Sequence, residues 1–429
     1  MVKKFLLTVL CLTATGLCAQ NGTGSPYSYF GIGENRSSGT VENQMMGGIG
    51  VYTDSIHVNL QNPASYATLG LKSVENGRLS VYSGALSRNQ VRLDGFSETQ
   101  SSSITNLDYI ALGFNLSKGF GIGFGIMPYS SVGYNIIAES SNASGAIVRD
   151  VYVGDGGLNR VYFSAGYEVF KDFSVGVTAN FNFGRFENEN VQSVEDVQFG
   201  TRDIKTSEIN GLDFNYALQY NPKITEKHRL FASARVNTQG NLTSNNSRTI
   251  SSLLISEGTI IESIDVDLDA AGLKNTAIKI PTKTTLGVGF GEDKKWFLGA
   301  EYSFQNFQDF SNEFLVDDNV VYQSANGVSI GGFIIPDYDA FNGYLKRMTY
   351  RAGVRFGNSG MIVNDKEIKN LGITFGVGLP LGRSLPNINV GFELGKRGTS
   401  TADLVEENYA KINIGFSFND LWFRKRKIN

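Results

Sequence analysis

The sequence predicts an all-β fold: a transmembrane outer-membrane β-barrel of about 14 antiparallel strands, with the N-terminal segment held in its lumen. Three observations lead there. Over residues 119–126 glycine alternates with bulky apolar residues, so that Phe120, Ile122, Phe124 and Ile126 take one face and Gly119, Gly121, Gly123 and Gly125 the other. A period of two belongs to a strand. The outer face of a soluble strand would carry Lys, Glu or Thr; bare glycine opposite a greasy ridge suits a wall with lipid outside and closely packed chain inside. Alternation of this kind then recurs along the chain, and the N-terminus reads as an export signal.

Lys3 and Lys4 precede an apolar run, and small, weakly polar residues lead to Leu17, Cys18, Ala19 and Gln20. This is a secretory signal peptide over residues 1–19, cleaved after Ala19, which directs the chain to the outer membrane of a Gram-negative bacterium. The alternative, lipidation at Cys18, wants a small residue where Leu17 stands. Cys11 and Cys18 both fall in the leader, so the mature chain would hold neither disulfide nor thiol chemistry. Losing two lysines takes Lys and Arg from 38 to 36 against 41 acidic side chains, a net charge of −5 that gives no electrostatic case for nucleic acid. No later run approaches the roughly 18 apolar residues of a spanning helix. Fifty glycines, a 12% aromatic share and only 8 prolines favour many strands.

Residues 20–76 carry glycine turns and an Asn-Pro corner without sustained periodicity, and a compact plug inside the lumen is the economical place for them. The barrel proper spans 77–420. Its candidate strands are 77–88, 105–117, 119–134, 157–170, 172–186, 206–221 and 227–241, then 277–291, 294–307, 326–335, 346–357, 369–380, 387–397 and 409–420. Short connections, such as those at Lys118 and Lys171, are assigned to the periplasm. Long polar segments at 135–156, 187–205, 242–276 and 308–325 are assigned to the outside as loops. Including 326–335 keeps the strand number even and returns the C-terminus to the periplasm. Residues 421–429 read as an aromatic anchor with a basic periplasmic tail.

Read residue by residue, the last strand sets Ile412, Ile414, Phe416 and Phe418 against Lys411, Asn413, Gly415 and Ser417. In 346–357 the inward set is Arg347, Thr349, Arg351, Gly353 and Arg355. So many charges on one face suit a polar lumen.

A leader, a Gly-rich N-terminal segment with Asn62, Pro63 and Ala64, about fourteen alternating strands and a third strand interrupted by Pro128 together resemble the FadL-like family of outer-membrane transporters for hydrophobic compounds such as long-chain fatty acids. The resemblance implies a barrel plugged by an N-terminal hatch containing Asn62, Pro63 and Ala64. It also implies substrate capture near the outer loops and sideways release at a gap beside Met127, Pro128 and Tyr129. The expected partners are outer-membrane lipid and a small hydrophobic ligand. The segment 135–156 is not strongly apolar, and some members of the superfamily accompany secretion or assembly machines; a plugged accessory subunit of an outer-membrane complex is the alternative role.

Each candidate residue has a plainer reading. The inward charges Arg235, Arg347, Arg351, Arg355, Glu168, Glu301, Glu393 and Lys411 could bind a ligand carboxylate, or pair with one another and stitch the plug in place. Pro128 is a gate, or an ordinary bulge near the rim. Met45, Met46 and Phe30 line a hydrophobic path, or form the small core of the plug. Nothing points to an enzyme or a cofactor: His57 and His228 are far apart in sequence, and no nucleophile elbow or zinc motif occurs. Glu262, Asp265, Asp267 and Asp269 lack the glycine turn of a calcium loop, so no metal is expected.

Overall fold

The computed structural model describes residues 22–70, 78–95, 98–316, 319–381 and 386–422. The expected leader with its cleavage point, residues 71–76 of the N-terminal segment and the basic run at 424–427 lie outside the described residues. Fourteen long antiparallel strands close into one barrel. The first six are β1 (Arg78–Asp94), β2 (Thr99–Ser117), β3 (Phe120–Ser141), β4 (Ile147–Phe170), β5 (Phe173–Val194) and β6 (Phe199–Tyr220). β7 runs in two pieces, His228–Asn237 and Gly240–Leu254; β8 does likewise, as Asn275–Ile280 and Lys283–Glu292, with Pro281 at the break. The wall is completed by β9 (Trp296–Asn306), β10 (Ser324–Ile334), β11 (Thr349–Val363), β12 (Lys366–Pro380), β13 (Asn387–Gly398) and β14 (Glu406–Trp422). β14 returns to β1 in a continuous register from Arg78↔Trp422 to Asp94↔Glu406, which closes the cylinder.

Each stretch expected to be a strand overlaps one of the fourteen, and the faces divide as alternation requires. On β14 Phe416 is 43% exposed and its neighbour Ser417 only 1%. The segments expected as long loops are a correction, since 135–156, 187–205 and much of 242–276 are strand. They extend the β3–β4, β5–β6 and β6–β7 pairings beyond the apolar band. Polar residues such as Asn188, Glu189, Asp203 and Arg248 interrupt the hydrophobic period there, while cross-strand pairs hold the ladder. Arg202 clamps Glu189 at 2.6 and 3.1 Å, and Arg248 clamps Asp203 at 2.9 Å through each of two nitrogens. The loop between β3 and β4 shrinks to a turn in which Asn142 Oδ1 accepts the N–H groups of Ser144 and Ala146.

Residues 22–70 contain short helical turns at Pro26–Tyr29, Val41–Gln44 and Pro63–Thr68, and a two-residue strand, Glu34–Asn35. They pack on the polar, glycine-bearing face of the wall. Tyr66 covers Gly121 and Gly123, the bare face of β3; the backbone of Pro63 and Ala64 lies on Gly176. Asn62 makes that seat by accepting the Ala64 N–H at 3.2 Å and donating to Gln219 at 3.0 Å. Met45 rests on Gly376 and Gly391, and Met46 on Gly331 and Gly353. Both methionines are buried and fill gaps between segment and wall.

His57 ties the segment down near the start of β13. Its Nδ1 lies 2.7 Å from Asp54 Oδ2, and its Nε2 3.2 Å from Asn387. Burial disfavours the imidazolium, but the carboxylates of Asp54 and Glu42 outweigh it and raise the pKa. A raised folded-state pKa gives stability that is fully present below the unfolded value of about 6.5 and is lost as pH rises through the folded value.

Two outcomes follow from this packing. A Cβ on Gly176 would stand 2.2 Å from backbone atoms of Pro63 and Ala64, whereas on Gly240 its nearest neighbours are at 3.6 and 3.8 Å. Gly176→Ala should therefore cost about 1–3 kcal/mol and lower the temperature at which the folded band converts on a semi-native gel, with Gly240→Ala close to wild type; equal shifts would contradict the seating. The same conversion temperature should fall as pH is raised above about 6.5, and His57→Gln should flatten that slope. A variant with the wild-type slope would assign the effect elsewhere.

Candidate functional site

β2 and β3 share a register only as far as Ile110↔Ile126. Beyond that point, among the wall strands, β2 pairs only with β1 and β3 only with β4, so the wall parts between Thr99–Tyr109 and Met127–Ser141. Pro128 sits two residues past the last shared pair and has no N–H to donate. The β3–β4 register also shifts between Pro128 and Ser130, a bulge centred on Tyr129. Pro128 thus sits beside both the end of the β2–β3 pairing and the bulge in the β3–β4 pairing. Met127 is buried against the N-terminal segment, and the Tyr129 ring lies 4.0 Å beneath the Arg160 guanidinium.

The parted seam is filled by the chain itself. Glu34 and Asn35 pair with Ser131 and Ser130, and Arg36 N–H donates to the Tyr129 carbonyl at 2.9 Å. On the β2 side Asn106 donates to the Gly22 carbonyl at 3.1 Å. Gly22 and Gly24 are needed there: a Cβ on the first would meet Ser131 Oγ at 2.5 Å, and one on the second Ser102 Oγ at 2.6 Å. Arg397 of β13 fastens this strap, reaching Glu34 at 2.6 Å and Glu407 at 3.4 Å, while Ser25 bonds Glu407 and Thr23 bonds Glu34.

Most of the predicted lumen charges are gathered into pairs. Arg235 meets Glu301 at 2.5 Å and Gln61 at 3.1 Å, and Glu301 accepts the Gly50 N–H at 3.0 Å. Arg355 meets Glu393 at 2.6 Å. Arg351 donates to Asn389, which donates in turn to Glu42. Lys411 reaches Gln44 at 3.3 Å and Asp108 at 3.7 Å. Glu168 lies apart, near the end of β4, accepting the Asp172 N–H. Arg347 is a correction: the strand begins at Thr349, and Arg347 ends a helical turn, Tyr344–Arg347, with its guanidinium 5.7 Å from the Tyr344 ring. The inward alternation was extended one turn too far. One buried cluster was missed, Arg160 with Asp213 at 2.7 Å, joined by Asn180 and Asn182. Its signal was available, since Arg160 alternates in phase with Tyr162 and Ser164.

Between the strap and the outer strand extensions lies a cavity of about 420 Å³. Tyr29 and Phe30 form its floor, Tyr134 and Tyr152 one side, and Phe310 and Tyr322 another. Phe30 lines this cavity. The Phe310 and Tyr322 rings stand 4.7 Å apart, and Tyr29 meets Tyr134 edge-on at 5.2 Å. An enclosure of this size with aromatic walls and a few amides suits a small organic molecule.

Comparison with known proteins sets this geometry in context. No curated protein matches the sequence. Among solved structures the toluene transporter TbuX of Ralstonia pickettii superposes with a TM-score of 0.55 at 16% identity, covering 89% of this chain and 98% of its own. The toluene transporter TodX of Pseudomonas putida gives 0.56 at 14% identity, covering 91% and 99%. At such identities the likeness concerns the fold alone, the closed antiparallel barrel that the sequence led us to expect. The family model described as BamG matches residues 1–429. Because that match runs the full length of the sequence, the chain belongs to the BamG family.

Proposed function

We propose that this protein is an outer-membrane barrel for the passive uptake of small hydrophobic compounds, which enter the aromatic cavity and leave sideways between β2 and β3. The observation that carries the reading is the parted seam, with its cavity directly above and a strap of the same chain within it. Residues 22–70 act in this reading as a hatch, and the strap 22–36 is the part that yields. Release into lipid requires no energy source, since each methylene that leaves water gains about 0.8 kcal/mol. The solved barrels of like fold are named as transporters of toluene, which makes toluene the natural first probe; a fatty-acid-like compound is the second.

A second reading is favoured by a separate observation. The buried charges join wall to segment at many points, as Arg235, Glu301, Asn389 and Lys411 do, and breaking such pairs one partner at a time is costly. In this reading the lumen stays plugged, and the barrel serves as an accessory subunit of an outer-membrane secretion or assembly complex, a role in keeping with a full-length match to a family distinct in name from the transporters.

Asn35→Cys with Ser130→Cys places one thiol on the strap and one on its register partner in β3. Oxidation should lower toluene uptake by whole cells at least tenfold, and reduction should restore it. Uptake that ignores the crosslink would remove the lateral route. Purification from detergent-solubilised membranes separates the two readings: the uptake reading expects the barrel alone or with its own copies, whereas a stoichiometric second protein would establish the accessory role.

A further inference from the structure

We propose that the strand Thr259–Asp265 is a docking edge, which takes an extended segment of another polypeptide, rich in lysine or arginine and in β-branched residues, as a further strand. None of its residues lines the cavity or the seam, so this role does not depend on the uptake reading. Thr259–Asp265 folds back beside the outer end of β7, with Thr259 opposite Leu254 and Asp265 opposite Thr249. Among the described residues nothing pairs with its other side. Val266 N–H donates to the Arg248 carbonyl at 2.9 Å. Bonding direction alternates along an antiparallel strand, so Ser263 and Asp265 turn their N–H and C=O groups away from β7. The register shifts at Ile261 and then runs unbroken from Glu262 to Asp265, which leaves those outward groups in line.

The side chains say what kind of strand would fit. Ile260, Ile261 and Ile264 are 46%, 57% and 61% exposed; isoleucines on the wall have hydrocarbon to face, but this ribbon stands beyond the apolar band. Edge strands are ordinarily blunted by lysine or proline, and Thr259–Asp265 contains neither. From Thr249 to Leu273 there is no Lys, Arg or His, while Glu257, Glu262, Asp265, Asp267 and Asp269 are all acidic. Arg248, at the start of this run, is engaged by Asp203 at 2.9 Å. A second copy of the chain is a poor occupant, because antiparallel pairing of the ribbon about Ser263 and Ile264 would set Glu262 of each copy opposite Asp265 of the other, and like charges directly opposite are destabilising. Lysine or arginine at those places turns the same positions into attractive pairs, and β-branched neighbours cover the isoleucines. Added strands of this kind draw affinity from the main chain and specificity from alternate side chains.

Fluorescence anisotropy of the purified full-length barrel in neutral detergent tests this with two labelled peptides of equal length and charge, one alternating lysine with valine and one alternating lysine with proline. The first should bind saturably; the second cannot form a ladder and should bind roughly tenfold more weakly or worse. Ser263→Pro removes an outward N–H and leaves those that bond β7 in place, so it should weaken the valine peptide by about tenfold, the loss of one hydrogen bond and the desolvation of its partner. Ile264→Lys keeps the strand and sets a like charge against the peptide; it should do the same, and serves if the proline loosens the ribbon. Equal binding of the two peptides would reduce the edge to a patch of charge and overturn the proposal. So would failure of the valine peptide to bind, or binding unchanged in both variants. A barrel that elutes as a dimer until Ser263→Pro separates it would give the edge to a second copy instead.

Discussion

The structure turns on one requirement of the bilayer: a wall in hydrocarbon must satisfy every backbone N–H and C=O within the protein. β3 meets it on the β4 side along nearly its whole length, but on the β2 side only as far as Ile126. From there the open edges of β2 and β3 need another donor and acceptor set, and the chain's own residues 22–36 provide it through Asn35, Arg36 and the Gly22 carbonyl. The proline that breaks the wall and the glycines that let a backbone slide into the breach are parts of one arrangement.

Elsewhere the N-terminal segment is held differently. Over the glycines of β3, β4, β5, β10, β11 and β12 the contact is close apposition, backbone or large side chain onto bare wall, and it is dispersion summed over many atoms. Around β7, β9, β13 and β14 it is paired charge and amide. Ion pairs out of water add little net stability, because desolvation offsets the Coulomb attraction, but they define position strictly: a displaced partner leaves an uncompensated charge behind. Glycine contacts hold residues 39–70 against the wall, and the ion pairs determine where along it they sit.

How much of this the sequence disclosed follows from where lipid touches the chain. Hydrocarbon on one flank imposes the alternation, so all fourteen strands could be read off, and the glycine face of β3 announced a close neighbour that proved to be Tyr66. Beyond the bilayer that constraint lapses, and the extensions of β3 to β7 looked like loops because polar side chains, buried ones such as Ser244 and Asn246 among them, interrupt their alternation. Arg347 was misplaced for the complementary reason: the pattern through Met348 and Tyr350 continues backward by chance into a helical turn. Arg397 and Glu34 are brought together only by closure of the barrel and the folding of distant segments. No local pattern encodes them.

The strap and the rest of the N-terminal segment therefore differ in how they would yield. Residues 39–70 are tied to many strands, so freeing them disrupts packing around much of the cylinder at once. Residues 22–36 share two register pairs with β3 and a few side-chain bonds with β2, and are fastened chiefly through Arg397. Local opening proceeds where buried contacts are fewest, and among the described residues the strap is the more lightly held part, lying where the wall is already parted. A ligand resting on Tyr29 and Phe30 touches that strap directly. Occupancy of the cavity and the state of the seam thus share a structural element, the physical precondition for one to bias the other.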